Sequence, residues 1–447
     1  MKHIPSSSHF ALAIVLVIAA SIRFMVAPLS PGPDVAQFWA FAKVFQTHGL
    51  DFYRYADVTL DIFPFKGWAF VYPPVWLLSL GLSLAAVPES FASPTVVDAS
   101  WRLAAKTPII VADLVVGVLL YWAVRGPRTR KLVFASLWLF HPTAWYESAV
   151  FGQFDAIAAA FLLASVLLFG KRMNKPAFLL AGLAFMTKQH TLMALTPVMA
   201  ITVRRLSWRQ FLRGFVMFLA VAMSLSIPFL LSDNLLSYAR SVFLPSQEPN
   251  YQQPLVYAFS GTGSLLTYIH DVFGWETSGL LKLNLPVLGI ALLAAVLLSY
   301  IRLDKLTESA LAGFLLFVGL SYQVNYQYLV AYIPLAILTA SNTTRTYERA
   351  SALLLALLPS LWLWLFDVSF WFRYFQPSSD QVTPLLSLFG LTRYSPDYVY
   401  VCFALVLMSL ALTYVFITFA VAPSKRNWQR PPKADCLCEE HLLTAQL

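Results

Sequence analysis

The chain has 447 residues, 59% hydrophobic and only 12% charged, with a mean hydropathy of +0.67. Soluble domains average roughly 45–50% apolar and about 25% charged residues, so a water-soluble globule of this length is excluded. Disorder, which needs low hydrophobicity and high charge, is excluded too, and 18 Gly and 27 Pro without period exclude a fibrous repeat. The remaining class is an all-α polytopic membrane protein, and 15% aromatic residues suit two interfacial belts.

A helix crosses the roughly 30 Å hydrocarbon core with about 20 apolar residues. The first run is 9–29, read as an uncleaved anchor because it is long, contains Arg23 and lacks a small-x-small cleavage site. Further runs lie near 71–88, 106–124, 132–150, 154–170, 176–203, 214–231, 285–301, 309–340, 349–366 and 398–421. The runs 176–203 and 309–340 are polar in the middle, so each is predicted to be a pair of short helices, giving about 11 to 13 helices in all. The net charge of +9 sits in short basic clusters between these runs: Arg125–Lys131, Lys171–Lys175, Arg204–Arg213, Arg345 with Arg349, and the tail at 423–447. That is the signature of cytoplasmic loops rather than of nucleic-acid binding. The polar stretches 30–70, 232–283 and 367–397 are poorer in Lys and Arg and are predicted to be extracytoplasmic. If 71–88 crosses the membrane, however, the basic cluster Arg125–Lys131 falls outside, so one nearby segment must be short or re-entrant. The loops are compact, which favours a prokaryotic plasma membrane over the endoplasmic reticulum. Of three cysteines, Cys402 lies in an apolar run and Cys436 and Cys438 in the tail, which is no disulfide framework and no metal-ligand spacing.

Ionisable groups inside apolar runs are costly unless they face a cavity or a partner. Asp34 directly follows the first helix, in Pro33-Asp34-Val35-Ala36-Gln37-Phe38-Trp39. A carboxylate there suits a proton acceptor, and it equally suits a helix N-cap. Tyr72-Pro73-Pro74 opens the second run, as a helix start or a rigid corner. Phe140-His141-Pro142, Glu147 and Phe151-Gly152-Gln153-Phe154-Asp155 mark a helix break. Thr187-Lys188-Gln189-His190 interrupts a 28-residue apolar run, where a cation suits an anionic group such as phosphate. Tyr322-Gln323-Val324-Asn325-Tyr326-Gln327-Tyr328 supplies carboxamides and phenols, as a sugar-binding surface or as a short external turn.

The order of these features resembles the GT-C superfamily of membrane glycosyltransferases, which use polyprenyl-phosphate-linked sugars. It is similar to the dolichyl-phosphate-glucose glucosyltransferases and the polyprenyl-phosphate-mannose mannosyltransferases. Asp34-Val35-Ala36-Gln37-Phe38-Trp39 resembles their Asp-Tyr-Glu-Ala-Gln-x-x-Trp, one residue shorter. Tyr72-Pro73-Pro74 resembles their Tyr-Pro-Pro, Phe151–Asp155 their His-Phe-Gln-Tyr-Asn, and Lys188-Gln189 their Lys-Gln. The resemblance covers mainly residues 23–200. The family's second acidic residue beside the first is absent, because Val35 and Ala36 stand there, and its later His-Glu-Lys reads Asn325-Tyr326-Gln327.

The resemblance implies a GT-C-type bundle with a large first external loop, and an inverting transfer of a hexose, mannose or glucose, from a polyprenyl-phosphate donor. The acceptor is a lipid-linked glycan, glycolipid or protein on the extracytoplasmic or lumenal side. Asp34 is then the general base. Lys188, with His190 second, holds the donor phosphate. Gln37, Tyr72, Gln153, Asp155, Gln189, Asn325 and Gln327 hold sugar or acceptor. A monophosphate leaving group can be served by side chains, and the sequence shows no carboxylate cluster of the kind Mg²⁺ or Mn²⁺ favours, so no metal or other cofactor is expected. The main alternative is a secondary transporter or lipid-linked sugar flippase, which would show internal pseudo-symmetry; the sequence shows no repeat.

Overall fold

The computed structural model describes residues 7–30, 33–56, 70–87, 98–243, 261–301, 305–365 and 397–420. The predicted tail at 423–447, with Cys436 and Cys438, and nearly all of the predicted loop 367–397 lie outside them. In chain order the helices are α1 (Ser7–Val26), α2 (Pro33–His48), α3 (Pro74–Ala85), α4 (Ala99–Ala123), α5 (Arg128–Leu139), the single turn α6 (Pro142–Trp145), α7 (Asp155–Gly170), α8 (Asn174–Phe185) and α9 (Leu192–Arg205). There follow α10 (Trp208–Phe229), α11 (Leu235–Phe243), α12 (Thr262–Phe273), the turn α13 (Ser278–Leu281), α14 (Asn284–Ile301), α15 (Leu306–Leu320), α16 (Leu329–Asn342), α17 (Thr346–Leu365) and α18 (Asp397–Ala420). Among the described residues there is no strand, and the protein is an all-α membrane protein. Among the described residues, four segments are long and apolar enough to cross a bilayer: Ala99–Ala123, Trp208–Ser232, Asn284–Ile301 and Tyr398–Phe419.

Local chemistry sets several helix starts. Asp98 caps α4 by accepting from the Trp101 N–H at 2.9 Å. Ser207 and Gln210 form a reciprocal capping box at the start of α10, with bonds of 3.3 and 3.2 Å. Pro74 occupies the first position of α3, where its missing N–H costs nothing.

Contacts between helices fix their direction. The Arg23 Nε–Asp113 Oδ2 pair (2.6 Å) joins α1 to α4. Leu12 near the start of α1 packs with Tyr121 at the end of α4, and the Ala27 carbonyl after α1 accepts from Lys106 near the start of α4. The two helices are therefore antiparallel, and the Arg125–Lys131 cluster lies at the end of the bundle where α1 begins. At that same end, Arg130 donates to the Ser341 carbonyl at 2.6 Å, Arg204 to the Tyr300 carbonyl at 2.8 Å, and Lys305 and Arg345 pair with Glu348 at 3.3 and 3.1 Å. One basic end collects these predicted cytoplasmic groups.

This arrangement corrects the reading of 71–88 as a span. Helix α3 has 12 residues, about 18 Å, too short to cross. It starts at the break after α8, where the Val75 N–H donates to the Met186 carbonyl (3.2 Å). Its Ser83 hydroxyl donates to the Ala104 carbonyl in the first turns of α4 (3.2 Å). Helices α2 and α3 and the start of α4 thus stay at the end opposite the basic one, and the topological conflict disappears. The predicted first external loop is largely helical where it is described, formed by α2 and a 3₁₀ turn at Gly49–Arg54.

Both long polar-centred runs are broken as expected, the first between α8 and α9 and the second between α15 and α16. A third break separates α5 from α7, where Pro142 and a π-helical turn (Tyr146–Phe151) replace regular helix. Each pair leaves the basic end and returns to it, so three irregular segments converge inside the bundle.

Candidate functional site

The break between α8 and α9 carries Lys188, and the start of α7 carries Asp155. Their side chains form a buried ion pair, Nζ to Oδ2 at 2.6 Å, with exposures of 1% and 0%. The ammonium also lies over the rings of Phe154, Tyr328 and Tyr72, 4.4, 5.0 and 5.4 Å from their centroids. Cation and ring faces attract in such an apolar setting. Lys188 thereby ties together all three irregular segments and the corner before α3.

Asp34 stands in the first turn of α2, inside the helix rather than at its cap. Its charge acts on Lys188 and Asp155, and the Glu147 carboxyl acts on all three. The structure thus brings three carboxyls and one ammonium that are far apart in sequence within electrostatic range of one another. Asp34 is partly buried, and burial pushes its carboxyl up to about 7 against the opposing pull of Lys188. A base with that value changes state near neutrality, as a working general base should. Among the described residues no group of three or more metal-type ligands is placed to hold an ion.

The other expected site residues divide into two sets. Gln153 is fully buried, and neither amide atom has a partner. Asp155 Oδ1, Asn325 Oδ1 and Gln327 Oε1 are likewise buried and unpartnered. Tyr72 hydrogen-bonds Gln327 and feels the charges of Asp34 and Asp155. Buried polar atoms without partners are costly, so this group is arranged for something that brings hydrogen bonds with it. By contrast, Gln189 donates both amide hydrogens to backbone carbonyls, Val71 at 2.9 Å and Val242 at 2.7 Å, so it fastens the break to the corner before α3 and to α11. Gln37 is buried in α2, one turn after Asp34. His190 sits in an aromatic slot, stacked on Phe317 at 5.4 Å and 4.8 Å from Tyr328, with Nε2 buried and unpartnered.

Two groups with no assigned role in the sequence reading also belong here. Glu147 is one; its sequence signal was only a carboxyl within an apolar run. Lys106 is the other. It is fully buried and donates to the carbonyls of Ala27, Ser30 and Val150 at 3.1, 2.7 and 2.9 Å. One ammonium therefore binds the segment leading to Asp34 to the turn leading to Asp155.

Gly152 lies between these elements with φ +84°. A Cβ there would come 2.5 Å from Val35 Cγ2 and 3.1 Å from Lys106 Cε. Gly152→Ala combines a left-handed backbone with a clash against α2, so a stability loss of about 1–3 kcal/mol is expected. Thermal melting measures that loss, and an activity assay checks the accompanying fall as Asp34 is displaced.

Residues 70–321 match the family model for glycosyltransferase family 87. This stretch includes Tyr72, Glu147, Gln153, Asp155, Lys188, Gln189 and His190, while Asp34, Asn325 and Gln327 lie outside it. No curated protein was found to match the chain.

Proposed function

The chain belongs to glycosyltransferase family 87, and from that premise we propose that this membrane glycosyltransferase is an inverting hexosyltransferase. It takes mannose or glucose from a polyprenyl-phosphate donor and passes it to an acceptor at the extracytoplasmic or lumenal face. The observation that carries this reading is the gathering of Asp34 with the Lys188–Asp155 pair at the broken-helix centre of an apolar bundle. A polyprenyl chain suits the bundle, and a monophosphate and a sugar suit its polar centre.

In the proposed step the acceptor oxygen forms a bond to the anomeric carbon as the bond from that carbon to the phosphate oxygen breaks on the opposite face. Asp34 takes the acceptor proton, and the leaving group departs as polyprenyl phosphate. An ammonium has three N–H donors. Asp155 engages one of those on Lys188, leaving two for phosphate oxygens in a low-dielectric setting, where fixed donors are most effective. His190 Nε2 is a further group for the leaving phosphate. Gln153, Asp155 Oδ1, Asn325 and Gln327 bind hydroxyls, with Tyr72 and Gln37 beside them. Gln189 contributes through its carbonyl oxygen while its N–H groups hold the backbone. The proposed reaction needs no metal, because side chains can serve a monophosphate, and we place it in a prokaryotic plasma membrane.

The test is transfer by the purified chain in lipid nanodiscs, with membrane extract as acceptor. Synthetic polyprenyl-phosphate mannose, glucose and arabinose are compared with nucleotide sugars. The expected result is hexose transfer with inverted anomeric configuration and release of polyprenyl phosphate. Turnover of nucleotide sugars or arabinose alone, or retained configuration, contradicts the proposal. The same assay run across pH reads the base. Because the deprotonated form of Asp34 accepts the proton and its value is about 7, the rate should rise with pH through about 7 and fall off below it. A profile flat from pH 5 to 8 contradicts the assignment.

A further inference from the structure

We infer that Glu147 is a second substrate-contacting carboxyl, which holds hydroxyls of the transferred sugar while Asp34 takes the acceptor proton. This rests on the proposed glycosyl transfer and adds a residue to it.

Asp113 is a structural carboxyl in the same region. Asp113 is fully buried, as Glu147 is. Its Oδ2 accepts from Arg23 Nε at 2.6 Å and from Ser148 Oγ at 2.8 Å. Its charge is paired through that one oxygen, although Oδ1 is buried without a partner. Glu147, one residue before Ser148, has none: both carboxyl oxygens are buried and unpartnered.

The backbone explains how one turn presents the two neighbours so differently. Tyr146–Phe151 is π-helical, a wide turn that occurs frequently at functional sites. It is clamped from behind. Ser148 reaches back to Asp113, and the Val150 carbonyl accepts from both Lys106 Nζ (2.9 Å) and Ser30 Oγ (2.6 Å). The Glu147 carbonyl closes the turn by accepting from the N–H groups of Gly152 and Gln153 at 2.9 and 2.8 Å. With those groups spent on the scaffold, the Glu147 side chain is left to the centre, where its charge acts with Asp34, Asp155 and Lys188 and reaches Tyr326. Carboxyl oxygens accept hydrogen bonds from vicinal hydroxyls well, and the transferred sugar is the hydroxyl-rich part of the proposed substrate.

The experiment measures transfer from the preferred polyprenyl-phosphate sugar and from its monodeoxy analogues. Wild type is compared with Glu147→Ala and Glu147→Gln, with melting temperature recorded for each. Wild type should prefer the parent donor over at least one monodeoxy donor by about 10- to 100-fold, the ratio expected when a hydrogen bond is lost and its buried partner is left unsatisfied. In Glu147→Ala that preference should fall to near one, and in Glu147→Gln it should shrink by about tenfold. A purely structural role would lower transfer from every donor equally and leave the ratios at wild-type values, which overturns the inference. So does failure of both variants to yield monodisperse protein, because Glu147 is then a structural group. A wild-type chain that transfers from no polyprenyl-phosphate sugar refutes the donor reading itself, and the inference with it.

Discussion

Asp34→Asn is expected to lower sugar transfer by about 10²–10⁴-fold, the usual contribution of a general base, while leaving the protein inserted and folded. The substitution keeps the size and shape of the side chain and removes only its ability to take a proton. Asp34 stands in the first turn of α2, where a negative charge is favoured by the helix dipole, but burial outweighs this and pushes its carboxyl from 3.8 up to about 7. The sign of the stability effect follows. A carboxyl with a raised folded value costs nothing below its unfolded value, and its ionisation weakens the fold increasingly as pH rises toward 7. Asp34→Asn should therefore melt at or slightly above wild type at pH 8, and alike at pH 4. Loss of transfer together with a much lower melting temperature at pH 8 would mark Asp34 as a structural group instead.

Lys188→Met should show the second large effect, on stability as well as on transfer. Removing one partner of a buried ion pair leaves an uncompensated carboxyl, typically costing about 3–5 kcal/mol. Asp155 would be that carboxyl, since its Oδ2 is bonded to Lys188 and its Oδ1 has no partner. The charge on Lys188 also draws the Asp34 value down, so the remaining pH–rate profile should move to higher pH. Adding Asp155→Asn to Lys188→Met should recover much of the lost stability without restoring transfer, because the ammonium proposed to hold the phosphate is still missing. Thermal melting and transfer of all three variants test this. If the double variant regains activity with its stability, Lys188 acts only as a structural partner.

The sequence made the membrane class legible, and with it the two broken runs. Polar residues at 186–190 and 322–328 stand inside stretches that are otherwise apolar, where burying them is costly unless they face a partner or a cavity. The structure breaks at both places. Hydropathy misled at 71–88, since an apolar stretch of that length fits a span and a short packed helix equally. Helix α3 buries Trp76, Leu77 and Leu80 against protein. Its failure to cross is written in contacts with α2 and α4, which periodicity does not contain. Asp34, Asp155 and Lys188 were each visible as costly groups, but the pairing of Lys188 with Asp155 across 33 residues was not. The gathering of carboxyls was hidden for the same reason. Asp34 and Glu147 come within electrostatic range of each other where Lys106 and Ser30 tie the end of α1 to the π turn. Gln189 shows another limit: its type suggested a sugar ligand, and the bonds from its N–H groups to the Val71 and Val242 carbonyls, which hold the backbone, were not legible.

The most direct test of the proposed chemistry is a single-turnover comparison of wild type and Asp34→Asn with the preferred polyprenyl-phosphate hexose. Formation of glycosylated acceptor and release of polyprenyl phosphate are followed at pH 8. The expected result is equimolar product and polyprenyl phosphate from wild type, with an inverted anomeric centre, and a rate lower by about 10²–10⁴-fold in Asp34→Asn at unchanged donor binding. Equal rates in the two proteins would contradict the role of Asp34 as base, and no release of polyprenyl phosphate by wild type would contradict the proposed donor.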